Sequence, residues 1–573
     1  MSLPYNVQPS NAVATDNIEG ARVLRSIHPR EGRGYTYGNE DIQTYLDEAI
    51  EMDDTRDVYE EFIDNDGPED NPKFLDELQV ENNVDACPNP MKVVVAIYGD
   101  FDESYTELPQ FLVALKDANP TTVTQLKCDS RGVSGTCTFN CAFWAFGLCI
   151  EGFKHCRPVI SIDATHLYGK YKGKLLIAMA TDANNEVYPL AFAVVKSESK
   201  ETWGWFLACL TRFVTDRTNL CIISDRHSGI KACFDDTSMT WLQPPMAHHR
   251  YCLHHVARNV NTKRKILKLK NLVWRVASVN QVKKFEATLE LIRNVKPAAY
   301  KYLEAENKQK WTLAHDGGHQ CRAMTTNLSE CFNGVLKGAR SLPITAIVRF
   351  TFFKVKSYFD ARRNLTLDQL EAGQEWCKYA MDKFEKNQAK AKDHMVTRMC
   401  TQARLYQVDT PGNPLSNKGR QHMHTVDLQD MTCTCGKWEA YKIPCSHVIA
   451  ICAKYKHDEQ QFIDPCYSVT HGYHSYEPVF QLLKDRLAWL DPGETRLVMP
   501  NSRLIRNKGQ PKSIRIRNEM DEDDRSCRAP YGLRMDQSQD VGCVAKRGIT
   551  VEHVLLKMRS QQWSCIIGKA SIS

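Results

Sequence analysis

Short apolar runs bounded by turn residues constrain this chain most. Val159-Ile160-Ser161-Ile162, Lys174 to Thr181, Val187 to Val195 and Leu220-Cys221-Ile222-Ile223-Ser224 are each the length of a buried strand. The second and third are separated by Asp182-Ala183-Asn184-Asn185-Glu186, a hairpin signal. Thr202, Trp203, Phe206, Cys209, Leu210, Phe213 and Val214 then recur at helical spacing, and Ser228 to Phe234 reads as a short helix. Strand, hairpin, helix, strand, helix is an α/β pattern on a mixed sheet. The 104 residues between Asp225 and Glu330 are too many for a plain loop, and their periodicity predicts an inserted α-helical subdomain.

Two of the runs close on a carboxylate, Asp163 and Asp225. A third, Glu330, opens an amphipathic segment, TTNLSECFNGVLKGAR. There Leu328, Cys331, Phe332, Val335 and Leu336 form the expected buried stripe, with Glu330, Asn333 and Lys337 facing away from it. Carboxylates delivered to one sheet edge by two strands and a helix make a pocket of hard oxygen ligands, suited to Mg²⁺ or Mn²⁺. Two such ions about 3.5–4 Å apart can clamp the attacking and leaving oxygens of a phosphodiester. Taken singly, each residue has a plainer reading, as a turn former or as an acid at a helix start.

A second constellation lies in TCTCGKWEAYKIPCSHVIAIC, where Cys433, Cys435, Cys445 and His447 stand as C-x-C, nine residues, then C-x-H. Three thiolates and one imidazole match a closed tetrahedral Zn²⁺ site. The expected unit is a small ββα finger, with a strand from His422 to Leu428, a turn at Thr432 to Cys435 and a helix from near Pro444. Its core is too small to fold without metal. Cys452 reads as a buried thiol. Cys252 and His255, in Y-C-L-H-H, are a metal or DNA pair or a packing pair, since two ligands alone do not make a site.

Charge is unevenly spread. Glu40 to Asp85 carries eighteen acidic residues against Arg56 and Lys73, a net −16, which leaves the rest of a +5 chain at +21. A basic body suits nucleic acid; the acidic arm is either self-masking or a solvated, disordered linker. Nine Lys or Arg and no acid lie between Arg258 and Lys284, including Lys263, Arg264, Lys265, Lys268 and Lys270. They form a phosphate-contacting surface or a solvated helix face. A second basic stretch, Arg503, Arg506, Lys508, Lys512, Arg515 and Arg517, reads as an extended arm for a minor groove or a nuclear import signal. The twenty-two cysteines, with no N-terminal apolar signal stretch and no run of 18 apolar residues, fit a reduced compartment with some thiols on metal, and no membrane.

The stretch from Cys156 to Leu210, ISDRHSGI around Asp225, HRYCLHHVARN from His249 to Asn259 and TTNLSECFNGVL around Glu330 closely resemble the transposase domain of plant Mutator-like elements (MULEs). The resemblance covers most of the chain from about residue 140 to 460. It implies an RNase H-like catalytic domain with Asp163, Asp225 and Glu330 as its D, D and E, and it matches the family's C-x-x-H at Cys252 and His255. The Cys433-to-His447 spacing resembles the SWIM-type zinc finger that follows the transposase domain in this family. One departure stands beside Asp163: the family usually has Gly where this chain has Ala164, which matters only where that position needs φ > 0 or close metal approach. The family's N-terminal Cys/His domain is not found among Cys87, Cys128, Cys137 and Cys141. Nor is its C-terminal zinc knuckle, since Cys527 and Cys543 have no His between them.

The expected organisation is an acidic, largely disordered region over 1–90 and a remnant linker over 91–155. The RNase H-like domain follows over 156–350 with its helical insertion at about 252–325. A helical connector over 351–420, the SWIM finger over 421–458 and a basic, mostly disordered tail over 459–573 complete the chain. The expected function is that of a Mutator-like transposase derivative in the nucleus. It would bind DNA (transposon terminal inverted repeats if active), with structural Zn²⁺ and catalytic Mg²⁺ or Mn²⁺; a homo-oligomer is compatible with this. The alternative is a domesticated, catalytically silent DNA-binding regulator of transcription, favoured by Ala164 and the missing modules. An RNA-processing RNase H enzyme fits the catalytic fold but not the finger.

Overall fold

The computed structural model describes residues 90–130, 135–260, 267–317, 323–400, 402, 404–410, 422–491, 493 and 496–506. The expectations for the acidic arm, for Cys87, Cys527 and Cys543, and for the tail beyond Arg506 lie outside these residues. Residues 91–155, expected as a linker, are instead built into the fold. Helices α1 (Pro90–Tyr98) and α2 (Glu103–Ala118) precede strands β1 (Val123–Asp129) and β2 (Thr136–Ala145), and α3 (Gly147–Phe153) follows. The reason is apolar content: Phe139, Ala142, Phe143, Trp144 and Phe146 are buried and extend the same core as the later strands.

That core is a mixed sheet, as the α/β pattern implies. β3 (Val159–His166), β4 (Lys174–Thr181) and β5 (Val187–Val195) form an antiparallel meander, and β2 pairs antiparallel with β5. Helix α4 (Lys200–Cys209), capped by Ser199 and Thr202, leads to β6 (Leu220–Ser224); α5 (Ser228–Phe234) leads to β7 (Ala247–Tyr251). The order is β1-β2-β5-β4-β3-β6-β7, with β3, β6 and β7 mutually parallel. β4, β5 and β6 are buried almost without interruption, as strands covered on both faces must be.

The chain between β7 and Glu330 builds a second, separate core. Helices α6 (Leu253–Val260), α7 (Leu267–Ser278), α8 (Val282–Val295) and α9 (Pro297–Ala305) pack around Val256, Leu272, Val273, Phe285, Leu303 and Trp311. An ion pair ties this unit to the sheet: Arg226 Nη1 lies 2.7 Å from Glu306 Oε1, its guanidinium over the Tyr302 ring. Helix α10 (Asn327–Val335) then returns to lie on β3, β4 and β5. The 28-residue α11 (Ile344–Glu371) backs the sheet, Thr351 accepting a 3.0 Å hydrogen bond from Trp144 Nε1.

The rest departs from the expected connector, finger and tail. After α12 (Lys378–Ala391), residues expected to be helical form strands β8 (Met395–Cys400) and β9 (Leu405–Thr410). With β10 (His422–Asp427) and β11 (Thr432–Cys433) they make a four-stranded antiparallel sheet, followed by α13 (Lys437–Tyr441) and α14 (Ser446–Tyr455). The finger is thus larger than a ββα unit. The two-residue β11 buries little, and Val396, Tyr406, Val408 and Phe384 from the preceding elements supply the missing core. Beyond α15 (Val469–Tyr476) the chain runs back to the first sheet, where β12 (Leu497–Met499) pairs parallel with β2 and Ile505 bridges Tyr171. Among the described residues no helix is long and apolar enough to cross a membrane.

Candidate metal centres

Strand register sets the first two carboxylates side by side. β3 and β6 pair in parallel up to Ser161 opposite Ile223. Two residues further along each chain stand Asp163 and Asp225, at the carboxyl-end side where open α/β sheets gather their ligands. Asp163 does not close its strand, although the apolar run before it predicts an end there. β3 continues to His166, still paired with β4, with Thr165 buried opposite Leu175. Ala164 therefore sits in extended strand backbone, opposite Leu176, and no left-handed conformation is demanded of it.

Helix α10 is held over this edge by a pair of serines. Ser329 Oγ lies 2.6 Å from Ser161 Oγ and donates to the Ser161 carbonyl at 3.2 Å. One turn on, Asn333 Nδ2 donates to Asp163 Oδ2 at 2.7 Å, while the other carboxylate oxygen accepts the Ala164 N–H at 2.8 Å. The buried face of α10 is thus Ser329, Phe332 and, just past its end, Leu336; Cys331, expected in the stripe, is exposed. A small polar residue permits the close approach that places Glu330 and Asn333 at the edge.

The electrostatics match crowded acids. Burial, then the Asp225 charge, push Asp163 up to about 7, with Glu330 adding to the effect and the Ala164 N–H and His255 opposing it. Burial also raises Asp225, against the His227 N–H at 3.0 Å; Glu198, a carboxylate the sequence reading passed over, adds to that rise. Glu198 is itself paired with Lys174 at 2.5 Å. Two half-buried carboxylates that resist ionising beside each other are the donor set a hard cation relieves. Glu330 points elsewhere: its Oε1 lies 3.9 Å from His255 Nε2 and 3.4 Å from Thr326 Oγ1.

Of the basic positions expected on DNA, Arg258 is exposed on α6 and Lys270 half-buried on α7. Lys263, Arg264 and Lys265 lie outside the described residues, as does the side chain of Lys268. In the second basic stretch Arg503 is exposed, but Arg506 is spent on structure, donating to the Leu167 carbonyl at 2.7 Å.

Cys433, Cys435, Cys445 and His447 come together as expected, their ligand atoms all within 4.8 Å of one another. His447 turns Nδ1 towards the thiols, 3.5 Å from Cys433 and 3.7 Å from Cys445. Hydrogen-bonded neighbouring thiols and burial push Cys433 up, burial pushes Cys445 up, and the same neighbours hold Cys435 low. One thiolate is tolerated and further ones are opposed, so the set fits a divalent cation that supplies the missing positive charge. The finger also grips the helical insertion, which nothing in the sequence signalled. Gln281 Nε2 donates to the Thr434 carbonyl at 2.7 Å. Gly436, at φ +69°, sits so close to Asn280 that a Cβ there would come within 2.5 Å of Asn280 Cβ.

Residues 159–259 match the MULE transposase domain family, and residues 424–456 match the SWIM zinc finger family. Together they support a MULE-type protein, and the second match, with the Cys/His cluster, supports zinc binding. The first match spans Asp163, Asp225, Cys252 and His255; Glu330 lies beyond it. Comparison with curated proteins found no match.

Two outcomes follow. Asp163 holds its proton more tightly folded than unfolded, so its contribution to stability is full at low pH and lost as pH rises from 3.8 to about 7. In the absence of divalent ions, Asp163→Asn should flatten that decline and stabilise the protein at pH 8 by roughly 2–4 kcal/mol in denaturant titrations. Equal slopes in the two proteins would show a solvated carboxylate. Cys445→Ser should release the zinc, whose binding in comparable small modules is worth roughly 10–16 kcal/mol. Hydrogen exchange should then quicken both in the finger and at the Asn280–Gln281 turn, while β3 to β6 stay protected. Unchanged exchange at that turn would mean that the finger does not hold the insertion.

Proposed function

We propose that this chain is a Mutator-like DNA transposase derivative. It binds DNA and carries an RNase H-like centre for divalent-metal-dependent DNA cleavage and strand transfer, in the nucleus. The observation that carries the reading is the in-register pairing of β3 with β6, which sets Asp163 and Asp225 together beneath Asn333. Asp163, Asp225 and, after a side-chain rotation, Glu330 would hold Mg²⁺ or Mn²⁺. When bound, such ions polarise the scissile phosphate and lower the pKa of the attacking water or 3′-hydroxyl. Asn333 orients the Asp163 carboxylate, and the Ser161–Ser329 contact fixes the distance between strand and helix. The exposed Arg258, on the helix that also carries His255, would supply a phosphate contact.

A second reading, a DNA-binding regulator without catalysis, is favoured by the orientation of Glu330 towards His255 rather than towards the two aspartates. An end-labelled DNA duplex incubated with Mg²⁺ or Mn²⁺ separates them. The transposase reading expects metal-dependent cuts that Asp225→Asn abolishes and that Asn333→Ala slows by roughly 10–100-fold, the usual cost of losing an outer-shell partner. DNA retained on the protein without any cutting would leave the regulator.

A further inference from the structure

Outside the finger, one other group of ligand-type side chains converges among the described residues: Cys252, His255 and Glu330, whose ligand atoms all lie within 4.8 Å of one another. We propose that these three residues form a second zinc site, at the junction of β7, the helical insertion and α10.

The site is built by backbone that has little freedom. Cys252 directly follows β7, its N–H bonded to the Ser224 carbonyl at 2.7 Å, and its side chain is fully buried. His255 lies in the first turn of α6, three residues on, so the C-x-x-H spacing turns thiol and imidazole to one side. Glu330 comes from the first turn of α10, and the segment leading into that helix is tied to the same place: Leu253 N–H donates to the Met324 carbonyl at 2.8 Å. His255 Nε2 and Glu330 Oε1 stand 3.9 Å apart, a separation that a small side-chain rotation closes to that of two ligands on one tetrahedral ion.

The surroundings suit a metal-bound thiolate. Thr326 donates to Cys252 Sγ twice, from its N–H at 3.3 Å and its hydroxyl at 3.2 Å. Such donors orient a sulfur ligand and stabilise its negative charge. One thiolate, one imidazole and one carboxylate select zinc over the hard ions proposed for Asp163 and Asp225, and three protein ligands leave a fourth position for water. Because Glu330 would serve here, an ion in this site holds it away from the aspartates; that consequence, unlike the binding itself, rests on the transposase reading.

Zinc content of the purified full-length chain, dialysed free of loose metal, is the test. About two zinc ions per chain are expected in the unaltered protein, one of them in the finger. Cys252→Ser and Glu330→Gln should each lose about one while the finger keeps its own, and Cys445→Ser should lose the other. Glu330 is 38% exposed, so its replacement leaves the packing intact and guards against a Cys252 variant that fails to fold. A single zinc in the unaltered chain, or two zinc ions retained in both Cys252→Ser and Glu330→Gln, would overturn the proposal. Loss of DNA cutting in Asp225→Asn with the zinc count unchanged would bear on the transposase reading alone.

Discussion

The parallel pairing of β3, β6 and β7 is the constraint on which the rest depends. Side chains alternate along a strand, so sliding one strand by a single residue would turn every side chain to the opposite face. With Ser161 opposite Ile223 and Ser224 opposite Tyr251, the same phase delivers Asp163, Asp225 and Cys252 to one edge of the sheet. The buried runs of β4, β5 and β6 make a slipped register costly, since it would move apolar side chains out of a core closed on both faces. Chemistry at the edge is thus specified by packing in the middle.

The edge is finished by elements far away in sequence. α10 arrives after a helical insertion with its own core, and the insertion is anchored by Arg226 and Glu306 beside Asp225 and by Gln281 on the zinc loop. The finger therefore braces the subdomain that carries the exposed Arg258. The contact at Gly436 shows how little slack exists: only a residue without Cβ fits against Asn280 there.

Much of this was legible in the residues. Apolar runs, a hairpin signal and helical periodicity located β3 to β6 and α4, and the C-x-C…C-x-H spacing located four side chains that cluster. What the sequence hid were contacts that carry no periodic signature. Ser161 against Ser329 is a pairing of two ordinary polar residues 168 positions apart, and Cys331 read as core only because apolar type stood in for burial. In β8 the exposed Met395, Thr397 and Met399 blur the alternation, and the three residues of β12 are too few to show any. The orientation of Glu330 towards His255 depends on side-chain rotation, which no sequence pattern encodes.

The central claim is that Asp163 and Asp225 act as one cation site because their strands are in register. A crystal structure of the full chain grown with Mn²⁺, read by anomalous scattering, tests it most directly. The expected result is a manganese peak within about 2.0–2.6 Å of a carboxylate oxygen from each of Asp163 and Asp225. A saturating Mn²⁺ concentration that leaves no peak between them, or one bound by a single aspartate, would contradict it.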